Sequence, residues 1–188
     1  MPPPQALTEQ LIRALESATD PAARCRLFCR LAECVGEYDL ARSLSLAEQG
    51  IAAAAAHGLR HEGARCRLER ARSLRLLGRY AEAKAALAGL ADAFKDANDV
   101  RSAALTAKTL AAIHLDLGLL EEALDANREA LKLFDGCGDH DLYCSALMDS
   151  AFIFHEREQF DQALATLDSV ASSLAAFART DADYQWMT

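Results

Sequence analysis

Few groupings in this chain of 188 residues combine side chains that could perform chemistry, and each of them fails on spacing. His155-Glu156-Arg157-Glu158-Gln159 begins like the helical zinc-hydrolase motif, in which two histidines one turn apart hold the metal and a glutamate between them acts as base. Gln159 stands where the second histidine must be. Gly136-Cys137-Gly138-Asp139-His140-Asp141 mixes glycines with metal-capable groups, but it falls at the interhelix place occupied by 96–99 one repeat earlier, and a turn with a helix cap accounts for it. Cys25, Cys29 and Cys34 offer partly co-facial thiols, and His57 and His61 lie either side of Gly58; neither set has the paired spacing of a zinc site. There is no phosphate-cradling Gly-x-x-x-x-Gly-Lys loop and no Gly-x-Gly-x-x-Gly turn. The expectation is a protein without catalytic activity, cofactor or metal.

The arginines are the more promising groups. Arg65, Arg72, Arg75 and Arg79 recur at helical steps, and Arg26 with Arg30 does the same upstream. Facing a groove, their guanidinium forks could grip the carboxylates of an acidic peptide or a phosphate-bearing ligand. The ordinary fate of such a run is a solvated face paired with Glu33, Glu37, Glu48 and Glu69. Residues 1–79 hold 12 basic and 9 acidic side chains, whereas 80–188 hold 8 and 19, so the chain is electrically two-ended. That asymmetry permits head-to-tail self-association, which salt would weaken. A net charge of −8 and the lack of interleaved aromatic and basic residues argue against nucleic acid.

The elements that must position these residues are helices. Alanine occurs 40 times and no proline follows Pro21, so strong helix formers run on almost without obligatory breaks. Apolar residues make up 52% of the chain, yet no run of them approaches the roughly 20 residues of a membrane span. Residues 1–10 lack the basic start and apolar stretch of a secretory signal. A cytoplasmic protein without membrane contact is therefore expected, its six cysteines serving as thiols.

Shifting the sequence by 40 residues aligns it with itself. Gly78, Gly118 and Glu158 share a column, as do Tyr80, Leu120 and Phe160, then Ala83, Ala123 and Ala163, Leu87, Asn127 and Leu167, and Leu90, Ala130 and Val170. Upstream, Gly36 matches Gly78 at a shift of 42, whereas Ser43, Ala47 and Gly50 keep the shift of 40, which places a two-residue adjustment in the first turn. The reading is an all-α single domain over 1–188, with a helix at 5–18, hairpins at 21–57, 60–97, 99–137 and 139–178, and the start of a further helix at 181–188. Asp20 before Pro21, Asn98 with Asp99, Asp139 and Thr180 are the expected N-caps. Four residues break the pattern. Arg67 and Arg70 stand in columns otherwise filled by Ala107 and Leu147, and by Leu110 and Ser150; His114 and Asn127 replace large apolar residues, as buried polar groups or as a ligand contact.

Leu77-Gly78-Arg79-Tyr80 with Ala83, and Leu117-Gly118-Leu119-Leu120-Glu121-Glu122-Ala123-Leu124 with Ala130-Leu131, resemble the tetratricopeptide repeat over about 21–178. The 40-residue period is longer than the family's usual one of about 34 and resembles the long-helix variant of bacterial regulators. The resemblance implies a right-handed superhelical solenoid whose concave side, lined by the first helix of each hairpin, binds a protein or peptide. It would put Lys108, Phe152 and His155 on that side together with Arg26, Arg30, Arg65, Arg72 and Arg75. It further implies the N-terminal regulatory or sensory region of a larger bacterial signalling protein, such as a diguanylate cyclase or transcriptional regulator. A sensor of small or acidic ligands and a stand-alone homo-oligomeric adaptor are the competing readings.

Overall fold

Every twentieth residue from 58 to 158 adopts the left-handed backbone conformation: Gly58, Gly78, Asn98, Gly118, Gly138 and Glu158 all have φ between 57° and 73°. Each ends a helix in the same way. The amide of the next residue reaches back to a carbonyl five positions earlier, as from Arg79 to Leu74 (2.9 Å), Asp99 to Phe94 (2.8 Å) and Leu119 to His114 (2.9 Å). These bonds satisfy carbonyls that a helix end leaves without partners. The first turn differs: Gly36 stays right-handed at φ −62°, and the amide of Asp39 bonds the Val35 carbonyl at 2.8 Å. The two extra residues expected there are the residues of this different turn.

The computed structural model describes the backbone of residues 4–185 and the side chains of residues 6–175. Its helices are α1 (Pro4–Ser17), α2 (Pro21–Val35), α3 (Leu40–Ala56), α4 (Arg60–Leu76), α5 (Tyr80–Leu87), α6 (Leu90–Asp96), α7 (Val100–Asp116), α8 (Leu120–Cys137), α9 (His140–Glu156) and α10 (Phe160–Gln185). No strand occurs among the described residues. The chain groups into two compact units, Met1–Ser102 and Ala103–Thr188.

Starts are set by side chains. Asp20 accepts from the Ala23 amide (2.8 Å), Asp139 from Leu142 (3.2 Å) and Asp99 from Ser102 (3.0 Å), and Asp39 caps α3 through Arg42 in the same manner. Asn98 is not a cap but the left-handed residue before one. Thr180 is not a cap either. The expected turn near 178–181 and the new helix at 181–188 are replaced by continuous helix to Gln185, because nothing from 175 to 185 is a glycine or proline and alanine dominates the approach. The expectation for 186–188 lies outside the described residues.

In the first unit α1 lies on α2, with Leu11 and Thr8 buried. The Arg24 guanidinium donates to the Leu15 and Ala18 carbonyls at 3.1 and 3.2 Å, closing the end of α1. Next, α4 packs on α3. Ser43 Oγ donates to the Ala32 carbonyl (2.6 Å) and meets Ser73 Oγ at 2.8 Å, so a hydroxyl that replaces alanine in its column is fully bonded in the core. Gly50 is needed where it stands, since a methyl group there would collide with the Cys66 sulfur.

The second helix of the next hairpin is broken. Gly89 takes φ 70°, splitting it into α5 and α6 while keeping Leu87 and Leu90 both buried. No other hairpin has glycine in that column, where Gln49, Glu129 and Ser169 stand. The break strands two carbonyls, and Arg67 takes both: its Nη2 donates to Ala86 at 3.0 Å and to Ala88 at 3.1 Å. This resolves the misfit of Arg67 in an apolar column.

In the second unit Ala123, Leu124 and Ile153 form one buried cluster, with Leu115, Leu120 and Phe154 packed around it. Asn127 is wholly buried against α9, donating from Nδ2 to the Ala146 carbonyl (2.6 Å) and Ser150 Oγ (2.8 Å), while its Oδ1 and His114 Nδ1 have no partner. The two bonds from Nδ2 tie α8 to α9.

Two substitutions test this account. Glu158→Gly removes the steric cost of a left-handed side chain and should stabilise the protein by about 1 kcal/mol, while Gly118→Ala should destabilise it by a similar amount, read from urea midpoints. Arg67→Met keeps the stem and leaves two carbonyls bare, lowering stability by about 1–3 kcal/mol in the same assay.

Candidate functional site

The residues singled out from the sequence divide between the two units. In the first, Arg26 and Arg30 lie on α2, and Arg65, Arg72 and Arg75 on the neighbouring α4. The two helices are joined by Arg26 Nη1 to Glu62 at 3.4 Å and by the Cys66 thiol on the Cys25 carbonyl at 3.7 Å. Arg26 also approaches Asp20 (3.7 Å), and Arg72 grips both oxygens of Glu69 at 3.0 and 3.4 Å. Arg79 is outside the stripe: it lies beyond α4 and holds Glu82 through two bonds of 2.7 Å. Arg70 reaches across to Glu48 on α3 at 3.4 Å. Arg30 and Arg65 remain exposed and make no ion pair among the described residues. The stripe is therefore partly neutralised, with two open guanidinium groups on adjacent helices.

Between these arginines sits a nearly buried carboxylate. Burial pushes Glu69 above the ordinary carboxylate range, Glu33 adds to the rise, and Arg72 opposes it without cancelling it. Burial likewise pushes the thiols of Cys25 and Cys34 up and favours their protonated form.

In the second unit Lys108 on α7 is engaged by Asp149 on α9 at 2.5 Å. Phe152 and His155 lie further along α9, both exposed, and border a cavity of about 480 Å³ between α9 and α10. The rest of its lining is Met148, Ala151, Phe160, Ala163, Leu164 and Leu167, so His155 is its one polar member. His155 stands edge-on to Phe160 with ring centres 5.7 Å apart. Met148, Phe152, Phe160 and Leu164 are each more than half exposed. These side chains form one contiguous exposed apolar face.

Sequence reasoning found Phe152 and His155 and missed the others, because leucine and methionine at helical spacing read as core. The signal was present in the columns. Leu167 stands where Ala47, Leu87 and Asn127 are buried, and it alone of the four is exposed among the described residues. The near-miss zinc motif is not even on one helix, since α9 ends at Glu156 and Glu158 forms the turn. Among the described residues no three metal-capable side chains converge, and no described helix is long and apolar enough to cross a membrane.

No family model and no curated protein matches the chain. Solved structures do. The Rap protein complexed with Competence and Sporulation Factor is similar at a TM-score of 0.82 and 16% identity, over 89% of this chain and 47% of that one. A signal transduction ATPase with numerous domains and a tetratricopeptide repeat sensor, from Pyrococcus horikoshii, gives 0.73 and 16%, over 94% of this chain and 28% of that one. A kinesin light chain type protein of nearly identical TPR-like repeats, from Podosopora anserina, gives 0.67 and 18%, over 94% and 89%. The chain thus spans less than half of the Rap and ATPase chains. The fold is that of the helical tetratricopeptide-like solenoids, as the turn and alanine columns imply.

A raised carboxylate pKa has a stability signature. The native state retains a proton on Glu69 that the unfolded chain has released, so stability should fall as pH rises from the ordinary carboxylate value near 4.5 through the raised one. Glu69→Gln should remove that part of the slope, measured as melting temperature against pH.

Proposed function

We propose that this chain is a non-catalytic repeat domain that binds proteins or peptides, on the first helices of its hairpins and on the apolar face that α9 shares with α10. The observation that carries the reading is the open apolar cavity of about 480 Å³ between α9 and α10. Its volume is within the range of small-ligand pockets, but a lining with one polar side chain offers little to orient a metabolite. Apolar side chains of a polypeptide suit it better. On the first unit Arg30 and Arg65, with Arg26, Arg72 and Arg75 around them, favour acidic groups in a partner. Lys108, held by Asp149, positions α9 rather than meeting the partner directly.

Two of the similar structures lend support, one a Rap protein holding a factor and the other an ATPase with a repeat sensor. By that analogy the chain serves as the regulatory region of a cytoplasmic signalling protein, of the diguanylate cyclase or transcriptional regulator type. Peptide display on the immobilised chain tests the binding reading. Enriched peptides should lose affinity about tenfold against Phe152→Ser or against the Arg30→Glu, Arg65→Glu double variant. Absence of enrichment, or peptides indifferent to both variants, would refute it.

A further inference from the structure

Where α2 meets α4, two thiols are in contact. Cys66 of α4 is fully buried, and its sulfur occupies the room that Gly50 of α3 leaves by having no side chain. The same sulfur lies 3.7 Å from the Cys25 carbonyl, to which it donates. In a helix the carbonyl of residue 25 points at the amide of residue 29. This contact therefore brings Cys66 beside Cys29, and the two thiols are hydrogen-bonded. Since the Cys66 proton is directed at the Cys25 carbonyl, Cys29 is the donor of the pair. Cys29 is also its partly exposed member, whereas Cys66 is sealed in.

The hydrogen bond acts oppositely on the two sulfurs. It draws the Cys66 thiol below its ordinary value although burial works the other way, and it raises Cys29. Arg65 favours the thiolate of both. Cys25 and Cys34 are raised by burial instead, and the exposed Cys137 bonds the Phe134 carbonyl of its own helix at 3.4 Å. Contacts that run from Arg26 on Glu62 to Cys29 on Cys66 make α2 and α4 parallel neighbours. On such helices the residue after Cys29 and the residue before Cys66 turn to one side. Those residues are Arg30 and Arg65, so the thiol pair lies beneath the two open guanidinium groups.

We propose that Cys29 and Cys66 are a site of reversible oxidation, closed to a disulfide by a peroxide, which fastens α2 to α4 beneath Arg30 and Arg65. The site stands independently of the protein-binding reading. A disulfide asks for sulfurs at about 2.05 Å and Cβ atoms about 3.8 Å apart, and hydrogen-bonded thiols on touching helices approach that geometry. Cys29, freed of its proton, attacks one oxygen of hydrogen peroxide; the O–O bond breaks, and the departing hydroxide takes up that proton as water. The Cys66 thiolate then attacks the sulfur of the Cys29 sulfenic acid. The S–S bond forms as the S–O bond breaks, and the hydroxide leaves with the Cys66 proton as a second water. Two thiols have given two electrons to one peroxide, and a dithiol reverses the change.

The test treats the full chain with hydrogen peroxide, caps the remaining thiols in urea, and digests the protein that runs as a monomer without reductant. Trypsin cuts after Arg26, Arg30, Arg65 and Arg67, releasing 27–30 and 66–67 with one thiol each. A single species with their summed mass less two hydrogens is expected, lost on adding dithiothreitol and missing from Cys29→Ser. The urea midpoint should rise on oxidation of the unaltered chain and stay put in Cys29→Ser. Recovery of 27–30 and 66–67 as separate capped peptides while Cys137 is oxidised would overturn the proposal. So would 66–67 joined to 25–26, which would give the role to Cys25, or 25–26 joined to 27–30, a bridge within α2.

Discussion

The constraint on which the structure rests is a left-handed residue at every twentieth position, closing one helix with a backward hydrogen bond and launching the next. Equal spacing of these closures is what makes the repeat a repeat. It gives helices of nearly one length, so that residues 40 apart arrive at the same height in successive hairpins and can share a packing role. Where the closure changes form, at Gly36 to Asp39, the column shift changes with it, by two residues. The closure tolerates other residues than glycine: Asn98 and Glu158 accept the conformation because the hydrogen bond and the packing on either side impose it.

Against this regular background the polar side chains in the interior act as local substitutes for backbone or methyl groups. Ser43 stands in for an alanine by bonding Ala32 and Ser73, Asn127 for a leucine by bonding Ala146 and Ser150, and Arg24 finishes α1 as a terminal amide would. The division of labour between surfaces follows from the same economy. The first unit meets solvent with charges that in part satisfy one another, leaving Arg30 and Arg65 open on adjacent helices; the second meets it with acidic side chains and an apolar face that no described helix covers.

Much of the fold was legible in the sequence because its determinants are local. Gly78, Gly118 and the alanine columns mark turns and close approaches by chemistry that depends on few neighbours, and Asp20, Asp99 and Asp139 are caps whose partners lie three residues on. What was hidden depended on competition between equals. Thr180 looks like a cap but is outweighed by the helix formers before it, and Asn98 and Asp99 could have exchanged roles. Gly89 splits a helix only because Arg67, 22 positions away, takes the freed carbonyls. Of the site, the arginines were visible by type, but their engagement depends on helix phase across a hairpin, as with Arg72 on Glu69 against the open Arg65. Met148 and Leu164 were invisible because exposure of an apolar residue is a property of what fails to cover it.

The joining of the broken helix by Arg67 has one more consequence. A guanidinium keeps its charge at every pH at which a protein remains folded, and here a single nitrogen of it, Nη2, serves both carbonyls. The seam in the second hairpin therefore keeps its charge, whereas Glu69, two residues further along the same helix, is pushed by burial to hold its proton above the ordinary carboxylate range. One helix thus carries a permanent rivet and a titratable contact side by side, and acidification would alter the arginine-lined surface while leaving the framework beneath it unmoved.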